Sequence, residues 1–311
     1  MIAVIPAYLS RPNQPGQLTR CIEALLADSE PARVVVVDDG SPLDVPPLPD
    51  RIDVLRVTAN AGPAAARNRG IERALSLGAD VVLFTDVDCV PAAGWARAMG
   101  AFLADGRHTA AGGVTRSLGT TLLDRYHDFN GTLNGRWILP ARRELLYGPT
   151  CNLAVRAEAL GQVRFDERFP RAAGEDVDFC HRLRERGPIG LATRAVVRHD
   201  FEYGSTRRGW SRFLQLFRRY GEADPLLWEL HPVLRDADTE ACAAADLLAA
   251  PPLDPDGYRR GASSRVRPRR YRLPMVLLRR LHRRAYRKGQ SAPLRWRAVA
   301  EDPLAATRGG E

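Results

Sequence analysis

The chain has 311 residues, 45% of them hydrophobic and 27% charged, and a net charge of +9. That is enough for one large α/β domain with an appendage, or two modest domains. No apolar run approaches the roughly 20 residues of a membrane-spanning helix. The five cysteines (Cys21, Cys89, Cys151, Cys180, Cys242) are scattered without a CxxC pair. That pattern argues against a disulfide framework or zinc site and for a reducing cytoplasm. Lys288 is the sole lysine, which removes lysine Schiff-base chemistry and a GxxxxGK[ST] phosphate loop from the globular part. Residues 258–288 hold twelve arginines and that lysine with no acid. The rest of the chain is net negative, so the basic balance describes a tail.

The chain enters a strand at residues 2–7, with no secretory leader expected before it. An amphipathic helix is predicted over 14–27 and a second strand over 33–37, ending in Asp38-Asp39-Gly40-Ser41. A proline-rich loop leads to a short strand over 53–57. Residues 62–77 read as a helix with Pro63 in its first turn. The run 79–85 is apolar and β-branched, as a strand buried on both faces should be, and feeds Asp86-Val87-Asp88. A helix over 92–105 and a strand over 109–115 follow. Residues 118–147, rich in aromatics and arginines, read as an irregular insertion covering a cleft. Then come a strand over 152–155, a short helix over 157–160, and a helix over 174–186 opened by Gly174-Glu175-Asp176. A strand over 189–197 and an amphipathic stretch over 210–220 complete the pattern.

This alternation predicts an α/β fold with a Rossmann-like, doubly wound, mostly parallel sheet. From residue 232 the composition turns to Ala, Pro and Asp and then to arginine. A domain is expected over 1–230, with a nucleotide-binding half over about 1–115, an acceptor half over about 116–230, and a helical basic extension over 231–311.

The chemistry gathers at strand ends. Asp86 and Asp88 sit at the carboxyl end of their strand, where open α/β sheets bind ligands. Two such acids repel unless a cation lies beside them, and oxygen ligands favour Mg²⁺ or Mn²⁺, metals that usually carry substrate phosphates. By itself an Asp-x-Asp also fits a solvated turn. Pro6-Ala7-Tyr8 and Asp38-Asp39 end two further strands on the same edge. A carboxylate there can accept from a pyrimidine N–H, although Asp-Gly-Ser is also a plain turn sequence. In Asn60-Ala61-Gly62-Pro63-Ala64-Ala65-Ala66-Arg67, small residues allow close approach at a helix start, and Arg67 one turn in can reach a base, ribose or phosphate. Glu175 and Asp176 lie on a helix's first turn, where a carboxylate facing a cleft can act as general base. His199, after the last strand, is a candidate third metal ligand through its imidazole.

The ordered set Ile5-Pro6-Ala7-Tyr8, Val37-Asp38-Asp39-Gly40-Ser41, Asn60 to Asn68, Thr85-Asp86-Val87-Asp88, Gly174-Glu175-Asp176 and Arg198-His199 resembles the family 2 glycosyltransferases, which have the GT-A fold. The match covers roughly residues 1–200. The resemblance implies that Pro6, Ala7, Tyr8, Asp38 or Asp39, Asn60, Arg67 and the Asp86-Val87 pair surround the nucleotide. It implies that Asp88, with His199, binds Mn²⁺ or Mg²⁺ bridging the diphosphate, with Asp86 on sugar or ribose. Asp176 is then the base, and Glu175 orients the acceptor or supports Asp176.

The implied activity is inverting transfer of one sugar from a nucleotide-diphosphate sugar, a UDP-sugar by preference, to an acceptor that sequence does not identify: a small molecule, glycan, peptide or lipid-linked group. Processive synthases of the family carry QxxRW and membrane helices. Gln215-Leu216-Phe217-Arg218-Arg219-Tyr220 is only an echo, so a single transfer is expected. The alternatives are a nucleotide-sugar-binding module without transfer, and a sugar-phosphate nucleotidyltransferase. The latter would carry a Gly-rich basic loop where Leu9-Ser10-Arg11-Pro12 stands. The interleaved arginines and apolar residues over 265–288 suit an anionic membrane surface at the inner face, an acidic acceptor, or a solvated tail packed on the domain. Nucleic-acid binding would explain the tail and nothing before it.

Overall fold

The computed structural model describes residues 1–27, 33–139, 144–204, 206–235, 272–292 and 294–295. Residues 265–271 of the basic stretch and Cys242 lie outside them. The four valines of β2 (Arg33–Asp38) are wholly buried, as are Ala3, Val4 and Ile5 of β1 (Ile2–Ala7). Their side chains alternate between two cores, because successive residues of a strand point to opposite faces. Val4, Val35 and Val37 pack on one face with Ile71 and Ala74 of α2 (Pro63–Ser76) and with Phe179 and Leu183 of α6 (Glu175–Leu183). Ala3, Ile5, Val34 and Val36 pack on the other with Leu18 and Ile22 of α1 (Gln14–Leu26) and Trp95 and Met99 of α3 (Trp95–Leu103). Helices on both faces are the doubly wound arrangement the alternation predicted.

The remaining strands are β3 (Ile52–Arg56), β4 (Val81–Phe84), β5 (Cys89–Pro91), β6 (Ala110–Ser117), β7 (Arg136–Leu139), β8 (Glu144–Tyr147), β9 (Leu153–Arg156) and β10 (Ile189–His199). Across the sheet the order is β3-β2-β1-β4-β9-β6-β10-β8-β7. The first four are parallel, with β1 between β2 and β4. Chain direction across the sheet reverses there, so the carboxyl ends of β1, β2 and β4 converge on one crevice. Beyond β4 the sheet is mixed: β9 runs antiparallel to both neighbours, while β6 and β10 are parallel.

Residues 118–147 differ from the irregular insertion expected. They form α4 (Leu122–Asn130) and the β7–β8 hairpin, which extends the sheet beside β10. A Thr121/Asp124 capping box starts α4: Thr121 Oγ1 accepts from the Asp124 N–H, and Asp124 accepts from the Thr121 N–H. That box satisfies two otherwise orphaned donors.

After the short α5 (Ala157–Leu160), α6 and β10, the last helices among the described residues are α7 (Arg207–Leu230) and α8 (Arg272–Gln290). The basic extension is helical here, as expected, and it is packed. Met275 and Leu278 are buried with Tyr126, Phe213 and Phe217. These two residues, read from sequence as available to a membrane, face the protein instead. The pair comes close because a Cβ on Gly221 would lie 2.0 Å from the Tyr286 carbonyl oxygen, and one on Gly289 2.0 Å from that of Arg218.

Candidate active site

Asp38 and Asp39 end β2 beside Ala7 and do different work. Asp39 Oδ1 accepts from the Ala61 N–H (2.9 Å) and Oδ2 from the Gly62 N–H (2.8 Å). Both oxygens are therefore used to fix the turn ahead of α2. Asp38 Oδ1 accepts from the Ser41 N–H (2.9 Å), and Ser41 Oγ accepts from the Leu9 N–H, which ties the β1 and β2 loops together. Asp38 Oδ2 is buried without a hydrogen bond among the described residues, 3.5 Å from Arg56 Nη1. Tyr8 is exposed over this corner, Pro6 is half-buried, and Asn60 is exposed just ahead of α2.

Arg67 is buried at 3% exposure instead of reaching into the crevice. Its Nη1 donates to Glu175 Oε1 at 2.9 Å and its Nη2 to Asp86 Oδ1 at 3.0 Å, with Cζ 5.6 Å from the Phe165 ring centroid. One guanidinium thus joins the Asp-x-Asp turn to the first turn of α6. Glu175 is buried as well, and its other oxygen, Oε2, has no hydrogen bond among the described residues. Burial pushes its carboxyl up, against the pull of Arg67. Val87 packs in the core with Cys89 and Trp95, leaving its backbone at the turn.

Asp176, the next residue, is half-buried at the start of α6, with Oδ1 accepting from the Val177 N–H at 2.9 Å. Burial, then the neighbouring Glu175 charge, raises its pKa to about 7, while Arg67 pulls it down. Gly174 caps the helix at φ +89°, a backbone conformation that suits glycine. A Cβ there would also press on Ala223 and Leu227 of α7 at 3.0 and 3.3 Å. Gly174 therefore lets α7 lie against the Glu-Asp turn. Tyr220 of α7 is near enough that the Asp176 charge adds to burial in pushing its phenol up. Sequence reading missed Tyr220 as part of this corner, because only the packing of α7 puts it there.

The two remaining acid and base residues meet through strand register. β5 pairs antiparallel with the end of β10, placing Cys89 opposite His199, and the Asp200 N–H donates to the Asp88 carbonyl at 2.8 Å. His199 Nε2 is then 3.4 Å from Asp88 Oδ1. Two ligands bound at about 2.1 Å around one cation stand about 3.0–3.4 Å apart, so the pair fits a shared divalent ion. Burial raises the Asp88 carboxyl pKa, opposed by His199, a cost that a cation would offset. Cys89 Sγ, 3.8 Å from Asp88 Oδ1, completes a group whose ligand atoms lie within 4.8 Å of one another. Sequence reading passed over this thiol, although it directly follows Asp88. Of the predicted residues, then, Asp86, Arg67 and Glu175 are joined by contact, Asp88 and His199 form a second pair, and Asp38 stands at the nucleotide-type corner.

The sequence profile described as glycosyl transferase family 2 matches residues 2–164. The chain belongs to that family. A pre-mycofactocin glycosyltransferase of Mycobacterium tuberculosis is 33% identical over 180 residues, covering 54% of this chain and 37% of its own. The succinoglycan biosynthesis protein ExoU of Rhizobium meliloti is 39% identical over 70 residues, 20% of each chain. This family 2 chain thus matches little more than a third of the length of the mycobacterial relative. The crystal structure of GalNAc-T7 with UDP, GalNAc and Mn²⁺ superposes with a TM-score of 0.51 at 16% identity, over 70% of this chain and 46% of that one. That likeness is one of fold, and it supports the GT-A architecture expected for the family.

Proposed function

We propose that this family 2 chain is an inverting, metal-dependent glycosyltransferase that moves a single sugar from a UDP-sugar to an acceptor nucleophile. The observation that carries the reading is the Arg67 bridge, which ties Asp86, two residues before the Asp88–His199 pair, to Glu175, the neighbour of Asp176. Asp38, with one buried oxygen lacking a hydrogen bond, fits a pyrimidine N–H and supports uracil as the base. Asp88 and His199 would hold a divalent cation, and imidazole beside carboxylate favours Mn²⁺ over Mg²⁺. Such an ion supplies charge neutralisation to the departing diphosphate, worth several kcal/mol.

The chain's own groups do the rest. Asp176, with a pKa raised to about 7, is half ionised at neutral pH and increasingly so above it, and is basic enough to take the acceptor's proton. The Arg67 bridge holds the acid of the metal turn and that of the base turn in one frame, so donor and acceptor are positioned together. Asp86, half-buried and hydrogen-bonded on one oxygen, keeps the other for a sugar or ribose hydroxyl.

The test is a panel of nucleotide sugars assayed for Mn²⁺-dependent release of nucleoside diphosphate, with and without acceptor extracts. Asp176→Asn should abolish transfer and leave UDP binding within about threefold of wild type. Transfer at the wild-type rate by Asp176→Asn would end the base assignment. Donor binding without release under any condition would make the chain a binding module.

A further inference from the structure

Helices α7 and α8 run parallel. Phe217 stacks on His282 at 3.6 Å between centroids, Gly221 abuts Tyr286, and Asp224 accepts from Tyr286 Oη (2.9 Å) and Gln290 Nε2 (2.8 Å). Position thus advances in step along both helices, and their amino-terminal ends lie together. At that end Trp210, Val276, Leu277 and Leu281 are 40, 50, 48 and 38% exposed. They make up four of the seven large hydrophobic residues exposed among the described residues. The same face of α8 continues as Arg280, Arg283, Arg284, Arg287 and Lys288, all exposed, and Arg207 and Arg208 are exposed at the start of α7.

Elsewhere on the fold several surface arginines pair with acids, Arg11 and Arg212 with Glu202, Arg20 with Asp200, Arg73 with Asp53 and Arg218 with Glu222, whereas Arg33, Arg97, Arg194 and Arg198 stand singly, without an ion pair among the described residues. The seven cations flanking the apolar end form no ion pair among the described residues. Among the described residues no helix is long and apolar enough to cross a membrane, so the exposed apolar end is treated as a surface feature. A file of aromatic rings links it to His199. Ring contacts run from His199 to Phe201 (4.4 Å), Phe201 to Tyr203 (5.6 Å), Tyr203 to Phe213 (6.0 Å) and Phe213 to Trp210 (6.4 Å).

We propose that the amino-terminal end of the α7–α8 pair docks on an anionic lipid bilayer, with Trp210, Val276, Leu277 and Leu281 entering the interface and the flanking cations meeting headgroup phosphates. Shared apolar and cationic character selects this occupant. A second copy of the chain would bring cations against cations, and an acidic polymer would gain nothing from four exposed apolar side chains. Each cation at an anionic surface contributes about fivefold to partitioning. Docking is independent of the transferase reading.

The experiment is co-sedimentation of the full-length protein with phosphatidylcholine vesicles, with and without phosphatidylglycerol. The protein should sediment with the anionic vesicles and not the neutral ones, and about 0.5 M salt should release it. The variant Arg280→Gln/Arg283→Gln/Arg284→Gln/Arg287→Gln should bind more than a hundredfold less well. Trp210→Ser/Val276→Ser/Leu277→Ser/Leu281→Ser should bind at least tenfold less well, both variants melting at the wild-type temperature. No sedimentation with anionic vesicles at low salt would overturn the proposal, as would both variants binding like wild type. An apolar variant that binds unchanged while heparin competes the protein off would assign the surface to an acidic polymer instead.

Discussion

Removing the Arg67 guanidinium tests the frame of the site. Arg67→Met keeps most of the side chain's volume and strands Glu175, whose side chain is 4% exposed and whose Oε2 already lacks a hydrogen bond. Breaking a buried ion pair by deleting one partner costs about 3–5 kcal/mol. That is a large share of the roughly 5–15 kcal/mol that holds a typical domain. Asp86 adds less, because its side chain is 27% exposed and water can replace the lost donor. The loss should depend on pH. Burial already pushes the Glu175 carboxyl up while Arg67 opposes it. Without Arg67 its folded-state pKa rises further above the unfolded value, so the penalty of ionised Glu175 is full above the folded-state pKa and fades as pH falls from there toward the unfolded value. Urea denaturation at about pH 8 and about pH 5.5, read as midpoint and slope, should show a smaller deficit at the lower pH. The double variant Arg67→Met/Glu175→Gln should recover at least half of the loss, since an amide leaves no charge stranded. A deficit under about 1 kcal/mol at pH 8, or a double variant no more stable than the single one, would refute the bridge as the element that holds the two turns.

Transfer rate at saturating substrates should climb with pH through about 7 as Asp176 ionises, and level off above it. The same raised pKa means ionised Asp176 weakens the fold above neutrality, so Asp176→Asn should melt higher than wild type at about pH 8 in differential scanning. In calorimetric titration with UDP present, His199→Ala should weaken Mn²⁺ binding at least tenfold while leaving UDP binding without metal unchanged. Gly289→Ala should lower the melting temperature and expose apolar dye-binding surface, because its Cβ cannot share space with the Arg218 carbonyl.

Seven of the ten strands, and the acids at their ends, were legible in the sequence, since central strands read as apolar runs that the acids follow directly; β5 and the β7 and β8 strands were not. What was hidden is which side chain reaches which. Arg67 and Glu175 are 108 positions apart, and nothing local tells a guanidinium that enters a crevice from one that braces it from below. Asp38 and Asp39 look equivalent as letters, yet one is used up by the Ala61 and Gly62 N–H groups. The Asp88–His199 meeting depends on an antiparallel register between β5 and β10 that a three-residue strand does not announce. In the basic stretch, arginine content masked the spacing of Met275 and Leu278, which marks the face that packs.

That packed face has a consequence for how the chain can be divided. Phe213 and Phe217 are buried with Met275, Leu278 and the stacked His282 ring as part of their cover. A fragment ending near residue 235 would retain Asp38, Asp88, Asp176 and His199, yet present that aromatic stripe to solvent. Such a fragment is expected to aggregate on expression, even though every residue of the candidate active site lies within it.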